Sequence, residues 1–306
     1  MCTAMTLRTE TDEIFFGRTM DFSYDITPNL YIVPSSYIWH NSANDRPVRN
    51  TYRIIGLGQE ADGMFGFFDG VNEKGFAAAA LYFAGYAQYD TSSVPGTKDQ
   101  ITSIDFLHYI LGNCASVREL PSLLNTITIL GVPDPVTKTI APLHWIVTDR
   151  SGECATIEST GNGLDFIKNP MGVMSNSPDL PWHMTNLKNY MMTSPTQSDE
   201  TYWNTVSLTP FGQAAGTTTL PGGFTSPERF VRVSYLKSHI PTPKDSKEAI
   251  PACFHIMESV SIPKGAVLTG RETYDYTKYT AFMNTNTCEY FYKTYDDINL
   301  STACIW

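Results

Sequence analysis

The chain of 306 residues has few charges, no long apolar run and no clustered cysteines. Charged residues make up 17% of it and hydrophobic residues 42%, which excludes an intrinsically disordered protein, since such chains are poor in apolar residues. No apolar segment approaches the roughly 18 residues that a membrane-spanning helix needs. The net charge of −10 makes nucleic acid and anionic membranes poor partners, because their phosphates repel an acidic protein.

The six cysteines and six histidines lack the short spacings of zinc sites and redox pairs. The segment Gly56–Ala61 lacks the third glycine of a dinucleotide-binding loop. We therefore expect no metal and no cofactor. Residues 1–8 are too polar and too short for the apolar part of a signal peptide, which predicts a cytoplasmic protein with reduced cysteines.

The chain shows no linker, no internal repeat and no low-complexity segment, which predicts a single domain over residues 1–306. Alternating apolar residues between turn signals predict two hairpins, one formed by 143–149 with 153–158 and one by 279–283 with 289–295. Helices are predicted to begin after Thr102 or Ser103, at a capping box of Ser116 with Glu119, and at Ser226. Strands and helices in separate groups indicate the α+β class, with an antiparallel sheet and helices outside it.

Met1-Cys2 is a start that permits removal of the initiator methionine. Removal would leave Cys2 with a free α-amine beside its own thiol. Because a free α-amine has an ordinary pKa of about 7.7–8.0, it can act as a base near neutral pH. Nucleophile and base would then belong to one residue, as in enzymes with an N-terminal threonine.

The next twenty residues predict a hairpin that brings charged side chains to Cys2. Residues 2–7 alternate like a strand, and 14–18 form a second candidate strand. If the turn centres on Thr11 and Asp12, paired positions sum to 23, so Cys2 faces Asp21 and Met5 faces Arg18. We then expect the Asp21 carboxylate to hold the α-amine, while Arg18 reaches the thiol only through a bulge or strand end.

Short motifs recur along the chain in a characteristic order. They are Cys2-Thr3, Gly17–Asp21, Asp69–Gly75, Ala79–Phe83, Leu143–Trp145, Asn176–Pro178, Trp182-His183, Leu220–Phe224 and Ser226–Phe230. Taken together, they resemble the choloylglycine hydrolase family of N-terminal-nucleophile hydrolases, which includes penicillin V acylases and conjugated bile salt hydrolases. The resemblance covers most of the chain. It implies a four-layer αββα sandwich, with two antiparallel sheets flanked by helices.

The resemblance also implies roles for six residues. Cys2 matches the nucleophile and its α-amine the base, and the residues beside it are Arg18, Asp21 and Arg229. The side-chain amide of Asn176 and the backbone N–H of Tyr82 match the donors of the oxyanion hole. Amide hydrolysis builds negative charge on the carbonyl oxygen, and each donor lost from such a site costs about 2.7–4 kcal/mol.

Position 82 separates the branches of the family. Penicillin V acylases usually have Tyr there and bile salt hydrolases Asn, and an aromatic side chain suits a flat phenoxyacetyl group. Tyr82 therefore predicts an amide hydrolase of the penicillin V acylase type. The alternatives are a conjugated bile salt hydrolase, an N-acyl-homoserine lactone acylase and, in a different class, a non-catalytic binding protein of the same fold.

The acyl pocket and the assembly are less strongly specified by the sequence. Met20, Phe22 and Tyr24 alternate around Asp21, and these three residues and Phe65 are candidates for the pocket wall or for the core. Because penicillins and bile conjugates are anions, we expect Arg18 and Arg229 to supply local positive charge. The expected partner is a small-molecule amide, with neither nucleic acid nor membrane, and the resemblance implies a homotetramer.

Overall fold

The computed structural model describes residues 1–91 and 98–306. Twenty strands form within these two ranges. In chain order they are β1 (Cys2–Arg8), β2 (Ile14–Phe22), β3 (Asn29–Val33), β4 (Ile38–His40), β5 (Pro47–Arg49), β6 (Ile54–Ala61), β7 (Met64–Phe67), β8 (Asp69–Asn72), β9 (Ala77–Tyr82), β10 (Asp99–Thr102), β11 (Ile127–Leu130), β12 (Leu143–Thr148), β13 (Cys154–Thr160), β14 (Gly163–Lys168), β15 (Val173–Met174), β16 (Thr201–Trp203), β17 (Val206–Leu208), β18 (Tyr276–Asn284), β19 (Glu289–Thr294) and β20 (Ser301–Cys304).

The same ranges contain five α-helices. They are α1 (Asp105–Asn113), α2 (Leu120–Leu124), α3 (Leu180–Asn186), α4 (Ser226–His239) and α5 (Ser246–Glu258). Two short 3₁₀ helices lie at Leu187–Tyr190 and Ala215–Thr217. None of the helices in the described ranges combines the length and apolar character needed to cross a bilayer.

Two antiparallel sheets stack against each other. The first has the strand order β15-β1-β2-β18-β19-β20, and the second has the order β14-β13-β12-β9-β8-β6-β3, with β7 paired to β6. Three apolar clusters separate four layers: one between α1, α2 and the second sheet, one between the sheets, and one between the first sheet and α4 with α5. The predicted four-layer αββα sandwich is confirmed.

Most of the predicted elements are present. The hairpins β12–β13 and β18–β19 lie where the alternating pattern placed them, and α4 begins at Ser226, with Thr225 and Glu228 forming its capping box. The capping box at Ser116 was wrong. There the Glu119 carboxylate accepts from the backbone N–H of Ala115, and α2 begins only at Leu120.

The register of the first hairpin differs from the prediction by one residue. Cys2 pairs with Met20 and Ala4 with Arg18, so paired positions sum to 22. The turn spans five residues, because Thr9 donates its backbone N–H to the Glu13 carbonyl and Asp12 adopts a left-handed φ of 61°. Since side chains alternate along a strand, this one-residue shift exchanges the two faces of β2 relative to Cys2.

Candidate active site

The first sheet presents Cys2 to the space between the sheets, and Arg18 shares that face. Cys2 pairs with Met20, and Arg18 lies two residues before Met20 on β2, so the three side chains point to the same face of the sheet. The Arg18 Nη2 lies 2.7 Å from the Cys2 Sγ and 3.0 Å from the Met20 Sδ. Arg18 therefore reaches the thiol directly from the regular strand, and the bulge or strand end predicted for this approach is not needed.

Arg18 crosses the gap between the two sheets. Its Nη1 donates to the carbonyls of Phe68 and Ala80 on the second sheet, at 3.0 and 2.8 Å. Its Nε lies 4.0 Å from the Asp69 carboxylate, and both side chains are fully buried. Burial by itself would lower the pKa of Arg18, but Cys2, Tyr279 and Asp69 outweigh it and the pKa is raised. The guanidinium consequently stays charged beside the sulfur.

Asp21 lies on the opposite face of β2, towards the helices. Its carboxylate accepts from the hydroxyls of Thr277 at 2.6 Å and Thr19 at 3.1 Å, and Arg229 Nη1 lies 3.8 Å away. Burial raises the pKa of the Asp21 carboxyl, although Arg229, the N-terminal amine and Thr277 each act to lower it. The register predicted Asp21 directly opposite Cys2. That placement was wrong.

Arg229 extends from the first turn of α4 to the backbone of β1. Its Nη1 donates to the Cys2 carbonyl and the Thr3 hydroxyl, its Nη2 to Asn176 Oδ1 at 2.6 Å, and its Nε to the Phe224 carbonyl at 2.9 Å. Burial lowers the pKa of Arg229, against the opposing charges of Asp21 and Cys2. Arg229 thus connects β1, the segment before α4 and the Asn176 loop.

Asn176 connects the N-terminus with the second sheet. Its Oδ1 accepts from the Cys2 backbone N–H at 2.8 Å, and its Nδ2 donates to the Tyr82 carbonyl at 2.7 Å. The Asn176 backbone is held on both sides: its N–H donates to the Ser226 hydroxyl, and its carbonyl contacts His183 Nε2 at 2.9 Å. The side-chain amide is therefore fixed beside Cys2, with one N–H used by Tyr82.

The N-terminal amine of Met1 is bound close to Cys2. It donates to the Asp21 carbonyl at 2.6 Å and lies 3.1 Å from the Asp275 carboxylate. The partner of the Cys2 nitrogen is Asn176 Oδ1, whereas the sequence predicted the Asp21 carboxylate in that place. Asp21 holds the N-terminal region through its backbone carbonyl.

A cavity opens onto Cys2. Its volume is about 790 Å³, which includes the solvent-filled entrance. Its wall is mainly apolar and includes Met20, Phe22 and Tyr82, and the rings of Phe22 and Tyr82 lie 5.4 Å apart. Tyr24 and Phe65 are not in this wall, which corrects their predicted position. Tyr24 packs on the outer side of Phe22, and Phe65 lines a separate cavity beside His108.

Charge in the cavity wall is sparse. Among the described residues, the ionisable side chains that line it besides Cys2 and Tyr82 are Arg18 and Asp134. Arg229 is fully buried and is not among the described residues that line the cavity. Of the two arginines expected to supply positive charge, Arg18 is therefore the one in contact with the cavity, and the rest of the wall favours an apolar acyl group.

Sequence reasoning missed the polar residues that surround Arg18 and Asp21. Asp69 was noticed only as part of a motif, Tyr279 and Tyr290 only as strand residues, and Thr277 not at all. Tyr279 donates its hydroxyl to Asp69 at 2.6 Å, and Tyr290 donates to the other carboxylate oxygen. No local pattern identifies them, because their partners are more than 200 residues away in the chain.

Among the described residues, no group of three or more His, Cys, Asp or Glu could hold a metal ion.

Comparison with known proteins agrees with this geometry. The profile of linear amide C–N hydrolases, choloylglycine hydrolase family, matches residues 2–305. The chain is 34% identical to the bile salt hydrolase/transferase of Clostridium perfringens, over 97% of this chain and 90% of that protein. It is 26% identical to the penicillin V acylase of Pectobacterium atrosepticum, over 91% of this chain and 73% of that protein.

Solved structures show the same likeness. A mutant of the conjugated bile acid hydrolase from Clostridium perfringens superposes with a TM-score of 0.92 at 32% identity, covering 99% of this chain and 92% of that chain. A penicillin V acylase from Agrobacterium tumefaciens shares the fold with a TM-score of 0.78 at 23% identity, covering 99% of this chain and 86% of that chain.

Proposed function

We propose, since this chain belongs to the choloylglycine hydrolase family of linear amide C–N hydrolases, that it hydrolyses the amide bond of conjugated bile salts. The observation that carries this proposal is the higher identity with the bile salt hydrolase/transferase of Clostridium perfringens, 34% against 26% for the penicillin V acylase. The largely apolar cavity at Cys2 suits the hydrophobic acyl part of such a substrate. Penicillin V hydrolysis, which the sequence favoured, becomes the second candidate.

In the proposed reaction Met1 is first removed, so that the nitrogen of Cys2 becomes a free amine. This amine takes the proton of the thiol, and the sulfur attacks the carbonyl carbon of the amide. When the C–N bond breaks, the proton passes to the leaving nitrogen and the acyl group remains on Cys2 as a thioester. Water, deprotonated by the same amine, then hydrolyses the thioester and restores the thiol.

The surroundings of Cys2 fit each step of this scheme. Arg18, with its Nη2 at 2.7 Å from the sulfur, favours the thiolate. Asn176 Oδ1 accepts from the Cys2 nitrogen and so orients it. The amide of Asn176 has a second N–H beyond the one that Tyr82 uses, and we assign this N–H and the Tyr82 backbone N–H to the oxyanion.

A rate comparison on one enzyme preparation tests the substrate. We expect kcat/KM for glycine- and taurine-conjugated bile salts to exceed that for penicillin V by about tenfold or more, a difference of about 1.4 kcal/mol in transition-state stabilisation. Penicillin G and a long-chain N-acyl-homoserine lactone complete the panel. A higher kcat/KM for penicillin V would transfer the assignment to the second candidate.

Tyr82 is the observation that favours this second candidate. Its ring and that of Phe22 form an aromatic corner of the cavity, where a phenoxyacetyl group can pack. Tyr82→Asn should therefore lower kcat/KM for penicillin V more than for bile conjugates. Equal losses for both substrates would mean that the ring has no part in substrate choice.

Cys2→Ala is the direct test of the nucleophile. We expect turnover to fall by roughly 10⁴-fold or more, as for other nucleophile deletions, while the melting temperature changes by only a few degrees. Intact-mass measurement of the wild type should show the loss of one methionine. Turnover close to wild type in the variant, or in a form that retains Met1, would contradict the mechanism.

The homotetramer is proposed with support from an exposed apolar region. Between α3 and α4 the chain exposes seven large apolar side chains: Met191, Met192, Tyr202, Trp203, Val206, Leu208 and Phe211. Single exposed apolar residues are ordinary, but several in one segment of the chain are the kind of surface that a subunit contact would cover. Light scattering should give the mass of four chains for the wild type and a smaller species for Trp203→Asp. A monomeric wild type would contradict the proposal.

A further inference from the structure

We propose that Asp69 is a positioning residue, which holds the Arg18 guanidinium beside the Cys2 thiol and partly neutralises its charge. The hydroxyls of Tyr279 and Tyr290 hold Asp69 in turn. This inference rests on the proposed role of Cys2 as the nucleophile. It adds three buried residues to the site, Asp69, Tyr279 and Tyr290, which act on the sulfur through Arg18.

The Asp69 carboxylate connects the two sheets. Asp69 lies on β8 of the second sheet, whereas Arg18, Tyr279 and Tyr290 lie on β2, β18 and β19 of the first. The Asp69 carboxylate uses one oxygen for Tyr279 and the other for Tyr290. Both oxygens are therefore held in place. The oxygen that accepts from Tyr279, Oδ2, lies 4.0 Å from the Arg18 Nε.

Every nitrogen of Arg18 is bound. Nε donates to the Thr19 carbonyl, Nη1 to two carbonyls of the second sheet, and Nη2 faces the sulfurs of Cys2 and Met20. The carbonyls and Met20 are neutral. Among the described residues, Asp69 is the carboxylate within 4.0 Å of this guanidinium, so it is the counter-ion that makes burial of Arg18 tolerable.

The protonation states fit this arrangement. Burial leaves the pKa of the Asp69 carboxyl raised, and Arg18 and the two hydroxyls limit that rise. The guanidinium at 4.0 Å and the two donated hydroxyls are the contacts that stabilise the carboxylate form. Burial and the nearby Asp69 charge raise the pKa of Tyr279 and of Tyr290 well above the ordinary value. Both tyrosines therefore remain O–H donors, and Asp69 remains their acceptor.

The sign of the effect on Cys2 follows from the charges. Arg18 attracts the thiolate, and the negative charge of Asp69 offsets part of that attraction. A thiolate that is held too strongly is less nucleophilic, because nucleophilicity falls with proton affinity. We infer that Asp69 keeps the guanidinium in place while leaving the sulfur reactive.

The other ionisable groups near Cys2 are left unsubstituted in the variants proposed below. They are Asp21 from β2, Tyr82 from β9, Asp134 in the cavity wall, Arg229 from α4 and Tyr279 from β18, together with Asp275 beside the N-terminal amine. A difference between wild type and an Asp69 variant is therefore attributable to the Arg18 pair.

The test is the pH dependence of Cys2 alkylation by iodoacetamide, followed by peptide mass spectrometry between pH 5 and 10. For Asp69→Asn, whose amide keeps the shape of the side chain and an acceptor for a tyrosine hydroxyl and so leaves Arg18 in place, we expect the midpoint of the rate profile to fall by about one pH unit, because the full charge of Arg18 then favours the thiolate. Arg18→Lys should move it in the opposite direction. We expect kcat on the accepted amide substrate to fall about tenfold in Asp69→Asn, as the sulfur becomes a weaker nucleophile.

A second variant and a matched control keep the test decisive. If Asp69→Asn does not fold, Tyr290→Phe should move the midpoint in the same direction by a smaller amount, because Asp69 then carries less negative charge. Asp105→Asn changes another buried carboxylate, which accepts from the backbone N–H and hydroxyl of Ser42, and should leave the midpoint unchanged.

Two results would overturn the proposal: an upward shift in Asp69→Asn like that of Arg18→Lys, or no shift in either Asp69→Asn or Tyr290→Phe. Failure of the proposed function is a separate result. A wild type that cleaves no amide in the panel would refute the function, while the alkylation profiles would still measure the Asp69 effect.

Discussion

Two fully buried arginines approach Cys2 from opposite faces of the same sheet, and their surroundings differ. Arg18 faces the second sheet, where it meets the thiol and the Asp69 carboxylate. Arg229 faces the helices, where most of its acceptors are uncharged carbonyl, hydroxyl and amide oxygens. The pKa of Arg18 is raised by its negative neighbours, whereas burial lowers that of Arg229.

The comparison separates an electrostatic role from a structural one. Arg18 places charge at the sulfur, so its effect should appear in the reactivity of Cys2. Arg229 binds backbone and side-chain oxygens of the N-terminus and the Asn176 loop, so its effect should appear mainly in stability and in the placement of Asn176. Four variants, in order of decreasing expected effect, test this division.

Arg18→Lys should have the largest effect. A lysine cannot reproduce the planar fork that reaches the sulfur and two carbonyls together. We expect kcat/KM to fall by roughly 10²–10³-fold, the loss of about 2.7–4 kcal/mol typical of one directed donor. Steady-state kinetics on the accepted substrate measures it. A loss below threefold would show that charge at the sulfur is dispensable.

Arg229→Lys should act mainly on stability. At least two of the four acceptors of Arg229 would be left without a donor, at about 1–3 kcal/mol each. We expect the free energy of unfolding in urea to fall by about 3 kcal/mol, and the alkylation profile of Cys2 to move less than in Arg18→Lys. Arg232→Lys, one turn later on α4, is the matched control, since a lysine can keep the hydrogen bond that Arg232 donates to the Pro221 carbonyl. Equal shifts of the alkylation profile in both Arg18 and Arg229 variants would remove the distinction.

Asp21→Asn tests the carboxylate on the Arg229 side. Because the pKa of Asp21 is raised in the folded protein, this group binds a proton where the unfolded chain has lost it. The stability it contributes is present below its ordinary pKa and is lost as the pH rises through the raised value. The stability of Asp21→Asn relative to wild type should therefore increase between pH 4 and 7 in urea titrations. A decrease would mean that ion pairing outweighs burial.

The same variant should slow turnover about tenfold, because Arg229 loses its neighbouring carboxylate and holds Asn176 less firmly. The rate should be affected more than the free energy of unfolding. An unchanged rate would mean that the Asp21 side chain has no part in the reaction and that its backbone carbonyl alone matters.

Thr277→Val should have the smallest effect. The hydroxyl of Thr277 donates to Asp21 at 2.6 Å and accepts from the Ile262 N–H at 2.8 Å. Its loss should cost about 1–2 kcal/mol of unfolding free energy, with kcat reduced less than threefold. Thr277→Ser keeps the hydroxyl and should behave as wild type. If the serine variant loses as much stability as the valine variant, packing of the methyl group and not the hydrogen bond is responsible.

The first hairpin shows how far local reasoning reaches. Alternation placed two strands before and after residues 9–13, and both exist as β1 and β2. The turn residue Asp12 takes a left-handed conformation, which lengthens the loop and shifts the register by one. That shift moved Arg18 to the thiol and Asp21 away from it, because side chains alternate with a period of two.

The amino-acid sequence by itself determined the main hairpins, the start of α4 and the reactive group: apolar alternation, the capping residues before α4 and Cys2 after Met1 are local features. The motif order added the family and the six site residues. Only the tertiary structure decided which face each side chain takes, that Asp69 reaches Arg18 across the sheets, and that Arg229 is enclosed away from the cavity. These contacts join residues 50 to more than 200 positions apart, and such pairings depend on packing of the whole fold, which no short segment encodes.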